Sequence, residues 1–170
     1  MEKSAEESKE FSVTGYYQAD HDRLDGLFRK FQEMKRLDMA KAKPFFREFL
    51  FGLQRHIVLE EEILFPVFEE KSGMRGTGPT EVMRMEHREI KKFLDAIHDK
   101  VRRQDPDSDG EERGLLEVLS AHNEKEESIL YPLIDSSISK VEQQRIHEAM
   151  KNIPPEKYET CCAGHAGGEK

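Results

Sequence analysis

Two short segments of the chain carry the same chemistry. His56-Ile57-Val58-Leu59-Glu60 opens a run that closes with Ile63-Leu64-Phe65-Pro66, and 66 positions later His122-Asn123-Glu124-Lys125-Glu126 opens one that closes with Ile129-Leu130-Tyr131-Pro132. The same shift carries Asp20-His21-Asp22 onto Glu86-His87-Arg88. An internal repeat constrains every later assignment. Each half offers one lone histidine and one His-x-x-x-Glu pair, and imidazole with carboxylate, without thiolate, is a ligand set for iron, manganese or zinc.

Helical geometry selects among the glutamates. At ~100° per residue, Glu60 lies about 40° round from His56 and one turn along, whereas Glu61 and Glu62 lie about 140° and 120° away on opposite sides. The same count selects Glu126 over Glu127. Six inward ligands result: His21, His56, Glu60, His87, His122 and Glu126. Any one of these histidines alone reads as a hydrogen-bonded core residue. The set does not, because two carboxylates in a dry core repel and a buried unpaired charge costs on the order of several kcal/mol. The pattern predicts a dinuclear site in which both carboxylates bridge two metals, with about two histidines on each and iron as the main occupant.

The elements that must position these groups follow from apolar periodicity. Val13, Tyr17, Leu24, Leu27, Phe31 and Met34 mark an amphipathic helix over about 12–36, with His21 on its stripe. Pro44 suits the first turn of a second helix running to about 70, whose inner face is Phe45, Phe49, Leu53, His56, Glu60, Ile63 and Val67. The glycines of 72–80 make a loop, after which Met83, His87, Ile90, Leu94, Ile97 and Val101 form a third stripe. Residues 105–110 break it. Leu115, Val118, Leu119, His122, Glu126, Ile129 and Leu133 form a fourth, and a short fifth helix follows near 138–151. Pro66 and Pro132 each remove a backbone donor, so they are expected to kink or end helices two and four.

The fold class predicted is all-α, an up-down-up-down four-helix bundle with a short additional C-terminal helix. Each histidine lies about 12–16 residues from its connecting loop, so at ~1.5 Å per residue all four meet at one level. The domain is expected over 12–151, with a flexible N-terminus at 1–11 and a disordered tail at 152–170.

Composition bounds the function. With 170 residues, 36% charged and 36% hydrophobic, the chain is most simply one domain with a full core. A net charge of -8 and no basic cluster with interleaved aromatics argue against nucleic acid as a partner. The polar, acidic first residues supply neither a signal-peptide core nor a membrane span. Cys161 and Cys162 are adjacent in a Gly-rich tail and cannot staple a fold, which fits a reducing compartment. A cytoplasmic protein is expected, and the tail with His165 reads as incidental.

Through His21, His56-x-x-x-Glu60, His87 and His122-x-x-x-Glu126, the sequence resembles the hemerythrin-like proteins with an HHE cation-binding domain, over about 12–135. The resemblance implies a non-haem, carboxylate-bridged di-iron centre, oxo- or hydroxo-bridged, that binds, senses or processes oxygen, peroxide or nitric oxide. Two positions depart from the oxygen carriers of that family. Their second third-helix histidine is Lys91 here, and their last carboxylate, an Asp five residues after its histidine, is Glu126 after four. One ligand fewer leaves open positions on the irons, favouring reactivity or iron exchange over reversible oxygen storage. Alternative readings are iron storage, delivery or iron-sulfur repair, and a structural bundle without a redox metal.

Three further positions, Tyr17, Asp20 and Glu86, stand near the ligands, and a fourth, His98, does not. Tyr17 lies one turn before His21 but its repeat partner is Met83, so the two metal positions would have unlike neighbours. Asp20 and Glu86 precede the lone histidines and could hold another ligand's second ring nitrogen, although carboxylates at such positions more often belong to the surface. His98 shares the face of His87 about 16 Å further along, too far for the same site.

Overall fold

The computed structural model describes residues 10–160, and all regular structure among them is helical. Helix α1 spans Val13–Met34. Ser12 caps it by accepting from the Gly15 N–H, and Asp135, far along the chain, accepts from the Val13 and Thr14 N–H groups at 2.8 and 2.9 Å. A carboxylate at a helix N-terminus satisfies orphan donors and complements the dipole.

Helix α2 spans Met39–Leu59 and is capped by Asp38, whose side chain accepts from the Lys41 N–H. The start expected at Pro44 is therefore corrected: the cap lies earlier, and Pro44 sits inside the helix. Its lost bond is cheap because Pro44 and Ala40, the residue four positions back, are both exposed to water.

After α2 comes one π-helical turn, Glu60–Leu64, and then α3, Phe65–Ser72. Helix α4 spans Pro79–Arg102. Helix α5, Asp109–Lys125, repeats the arrangement: a π turn, Glu126–Leu130, leads into α6, Tyr131–Ser137. Helix α7, Lys140–Lys151, opens with a capping box between Ser139 and Glu142, and a 3-10 turn follows at Pro155–Lys157. The loop before α4 is punctuated by Gly73, Gly76 and Gly78, all at positive φ.

The π turns correct the expected inner faces and exclude one of the two roles expected of Pro66 and Pro132, to kink or to end helices two and four. Pro66 and Pro132 do not end their helices; each sits just past a turn in which the N–H of the preceding aromatic donates five residues back, Phe65 to Glu60 and Tyr131 to Glu126. An inserted residue leaves the ladder one bond short, and a residue with no N–H belongs where the ladder changes register. The insertion also rotates everything downstream. Leu64, Phe68, Leu130 and Ile134 are buried, whereas Ile129 is 59% and Leu133 45% exposed and Ile63 and Val67 are only partly covered. At the start of the same helix, Phe46 rather than Phe45 enters the core.

Helix α1 packs on α2, α4 on α5, α2 on α4 and α1 on α6. Two apolar clusters result. One gathers Leu24, Phe28, Phe31, Phe49, Leu53, Ile90, Leu94 and Leu119, and the other Tyr17, Leu59, Leu64, Phe65, Met83, Leu130, Tyr131 and Ile134. Five of the six histidines and glutamates lie in sequence between the contributions to these clusters, and the sixth, Glu60, directly follows Leu59 of the second. The buried Lys35 ammonium ties the end of α1 to the first turn of α5 through Asp109 and Glu112, each at 2.5 Å, and Ser108 at 3.2 Å. Helices α4 and α5 approach so closely at Gly114 that a Cβ there would lie 2.4 Å from the Phe93 ring. No described helix is long and apolar enough to cross a membrane. Residues 1–9 and 161–170 lie outside the described residues, and with them the N-terminal segment, Cys161, Cys162 and His165.

Candidate metal centre

The structure brings all six selected side chains together, each no more than 4% exposed. On one side, His21 Nε2 lies 3.2 Å from His56 Nε2 and 3.3 Å from Glu126 Oε2, and His56 Nε2 lies 3.5 Å from Glu60 Oε1. On the other, His87 Nε2 lies 3.1 Å from Glu60 Oε2, and His122 Nε2 lies 2.7 Å from Glu126 Oε1. Each glutamate thus turns one oxygen to each side. Two groups could hold a metal ion: Glu60, His87, His122 and Glu126, and His21, His56 and Glu126.

Whether these residues suit a cation can be judged from their unmet bonding. Glu60 Oε2, Glu126 Oε1 and His87 Nε2 are buried and make no hydrogen bond, although ring nitrogens and carboxylate oxygens stand within ion-pair distance. Close approach without hydrogen-bond alignment means the lone pairs aim at a shared point rather than at one another. Buried nitrogen and oxygen donors converging without hydrogen-bond partners in the protein fit a metal ion.

The far side of every ring is also held. His56 Nδ1 is 2.9 Å from Asp20 Oδ2 and His122 Nδ1 is 2.8 Å from Glu86 Oε2, as the positions before the lone histidines suggested. His21 Nδ1 is 2.6 Å from Glu127 Oε1, and His87 Nδ1 is 2.7 Å from Glu61 Oε1. Glu61 and Glu127 do point away from the ligands on their own helices, as counted, but toward rings on others. A carboxylate on Nδ1–H fixes the tautomer and leaves the Nε2 lone pair for the centre.

Without a cation, protons hold the cluster together. Burial works to lower the His56 imidazole, but Glu60, Asp20 and Glu126 outweigh it and push it up to about 10. Burial likewise opposes His87, and Glu60 and Glu61 push it up to about 9. Burial acts to raise the Glu60 carboxyl, and the adjoining His56 and His87 hold it well below the ordinary range.

One side chain of the cluster escaped the sequence reading. Tyr131 is fully buried with Oη 2.5 Å from Glu60 Oε1, 2.5 Å from Glu126 Oε2 and 3.4 Å from His56 Nε2. Its signal was the aromatic-Pro ending of the repeat, which marks the π turn. Tyr17 stacks on Tyr131 at 4.7 Å and meets His56 edge-on at 4.8 Å, with its buried hydroxyl unpaired. Lys91 points outward to Asp95, and His98 packs near Phe46, away from the cluster.

Two grooves reach the rings. One of about 570 Å³ between α1 and α5 runs over His21 and Glu127 past Asp22, Asp25 and Glu124; the other, about 270 Å³, runs over His87 and Glu61 past Arg88 and Lys91.

Helices that carry a buried, convergent layer of imidazoles and carboxylates define a cation-binding helical protein. The chain belongs to the hemerythrin HHE cation binding domain family, whose pattern matches residues 13–134. It is 34% identical over 96 residues to the iron-sulfur cluster repair protein YtfE of Edwardsiella ictaluri, covering 51% of this chain and 42% of that one. Over 45 residues it is 42% identical to the YtfE protein of Salmonella schwarzengrund, covering 26% of this chain and 20% of that one. It is 25% identical over 133 residues to a DNA nickase of Nostoc sp., covering 78% of this chain and 36% of that one. The chain spans less than half the length of these relatives. No solved structure matches it.

Proposed function

We propose that the chain holds two iron ions in an up-down-up-down four-helix bundle and binds, senses or processes oxygen, peroxide or nitric oxide there. His21 and His56 would hold one ion, His87 and His122 the other, and Glu60 and Glu126 would each offer an oxygen to both. The observation that carries this reading is the split of the two carboxylates, Glu60 Oε1 and Oε2 facing His56 and His87, and Glu126 Oε2 and Oε1 facing His21 and His122. Two cations neutralise two buried carboxylates that otherwise depend on protonated histidines.

When bound, iron supplies electrons and an open coordination position. The chain's residues do the rest: the four Nδ1 partners orient the imidazoles, and the apolar clusters on either side keep water from the centre. A net charge of -8 supports a small-molecule ligand rather than nucleic acid.

A second reading is delivery of iron for iron-sulfur repair, favoured by the similarity to the two YtfE proteins. Metal analysis with an optical spectrum, then stopped-flow mixing of the reduced protein with oxygen, peroxide and nitric oxide, separates the two. Two tightly held irons that react with one of these support the first reading. Iron that passes readily to an acceptor supports the second, and a colourless protein with zinc or no metal defeats both.

A further inference from the structure

Tyr131 stands where the other half of the repeat has Phe65. Phe65 only walls the cluster, its ring parallel to His87 at 6.0 Å. Tyr131 brings an oxygen into it, fully buried and 2.5 Å from both Glu60 Oε1 and Glu126 Oε2. A phenol has one proton and can donate to one of these carboxylates, not both. The second contact sets two oxygens at 2.5 Å with no hydrogen of the phenol between them, an arrangement a cation satisfies.

The donors on the two sides are unequal in number. Around His21 and His56 gather two imidazole nitrogens, Glu60 Oε1, Glu126 Oε2 and Tyr131 Oη. Around His87 and His122 gather two nitrogens and two carboxylate oxygens only. Three buried ligand atoms that lack a hydrogen bond, Glu60 Oε2, Glu126 Oε1 and His87 Nε2, belong to this second side, which has no hydroxyl to meet them; on the first side the buried Tyr17 hydroxyl beside His56 also goes without one.

We propose that Tyr131 is a direct ligand of the ion held by His21 and His56, an inference that rests on the dinuclear reading above. The phenol proton passes to a neighbouring carboxylate and on to water as the oxygen binds the ion, and no electron moves. Tyr131 thereby fills a position on one ion and leaves the exogenous ligand to the other, between His87 and His122 beside Phe65.

The test loads the full-length protein with ferrous iron anaerobically, oxidises it, and measures iron per chain, the visible spectrum and resonance Raman scattering. Expected are two irons, a tyrosinate-to-iron charge-transfer band and enhanced tyrosinate ring modes. Tyr131→Phe, a ring that the Phe65 position shows this environment accepts, should abolish the band and modes while retaining the iron. Two irons without tyrosinate modes in the unaltered protein, or an unchanged band in Tyr131→Phe, overturn the role of Tyr131 and leave the dinuclear reading standing. Failure to hold two irons overturns both. The Raman measurement on the unaltered protein decides the matter even if the variant does not fold.

Discussion

His56 Nδ1 lies 2.9 Å from Asp20 Oδ2, so the residue just before one candidate ligand holds the ring of another. The repeat reproduces the contact between His122 and Glu86. Removing such a partner frees the ring to rotate and lowers its basicity. Asp20→Ala and Glu86→Ala are each expected to weaken metal binding about 10–100-fold without lowering the metal content at saturation. Competition against a chelator of known affinity measures this, and unchanged affinity in both variants would show that the contacts are incidental.

The two kinds of ligand should fail differently. Glu126 presents an oxygen to each side, whereas His21 serves one. Glu126→Ala should therefore weaken both ions, and His21→Ala should leave one bound. Elemental analysis after desalting reads the difference; equal losses would argue against a shared carboxylate.

The metal-free protein should lose stability as pH rises. His56 and His87 hold protons up to about 10 and about 9 in the folded chain, against an ordinary 6.5. A raised folded-state value means the contribution is complete below about pH 6.5 and is lost as pH climbs through about 9–10. Denaturant melts of chelator-treated protein between those limits should show it. Iron binding should run the other way, strengthening with pH as the competing protons leave. Stability that rises across this range would contradict the proton-held cluster.

Register through the second π turn can be tested on neighbouring residues. Leu130 is 1% exposed and Ile129 59%. Leu130→Ala should cost ~2–5 kcal/mol, while Ile129→Ala should stay within ~0.5 kcal/mol. An uninterrupted helix predicts the reverse order, and thermal or chemical denaturation distinguishes the two.

That register explains what the sequence could and could not reveal. Positions up to Glu60 and Glu126 obey the 3.6-residue period, so the convergence of four histidines and two glutamates was legible from spacing and repeat alone. Beyond them, α-helical counting puts residue 131 about 140° round from Glu126 and hides its hydroxyl. Pro66 and Pro132 marked the irregularity, but their missing donors read equally well as a kink or a stop. The inter-helix pairs of Glu61 with His87 and Glu127 with His21 were illegible for another reason: periodicity within a helix carries no information about which neighbour it faces. Asp20 and Glu86 could be named because they adjoin residues already placed, but their position alone favoured a surface role over the ring contacts they make.

Each half of the chain supplies both imidazoles of one group, and one acid that serves the two. A single helical hairpin is therefore nearly a full set of instructions, and its twin completes it by reciprocal exchange. Such a duplicated plan permits asymmetry at little structural expense: a tyrosine can arise in one copy while the other keeps its phenylalanine, and a pair that began as equivalents can divide the labour between them.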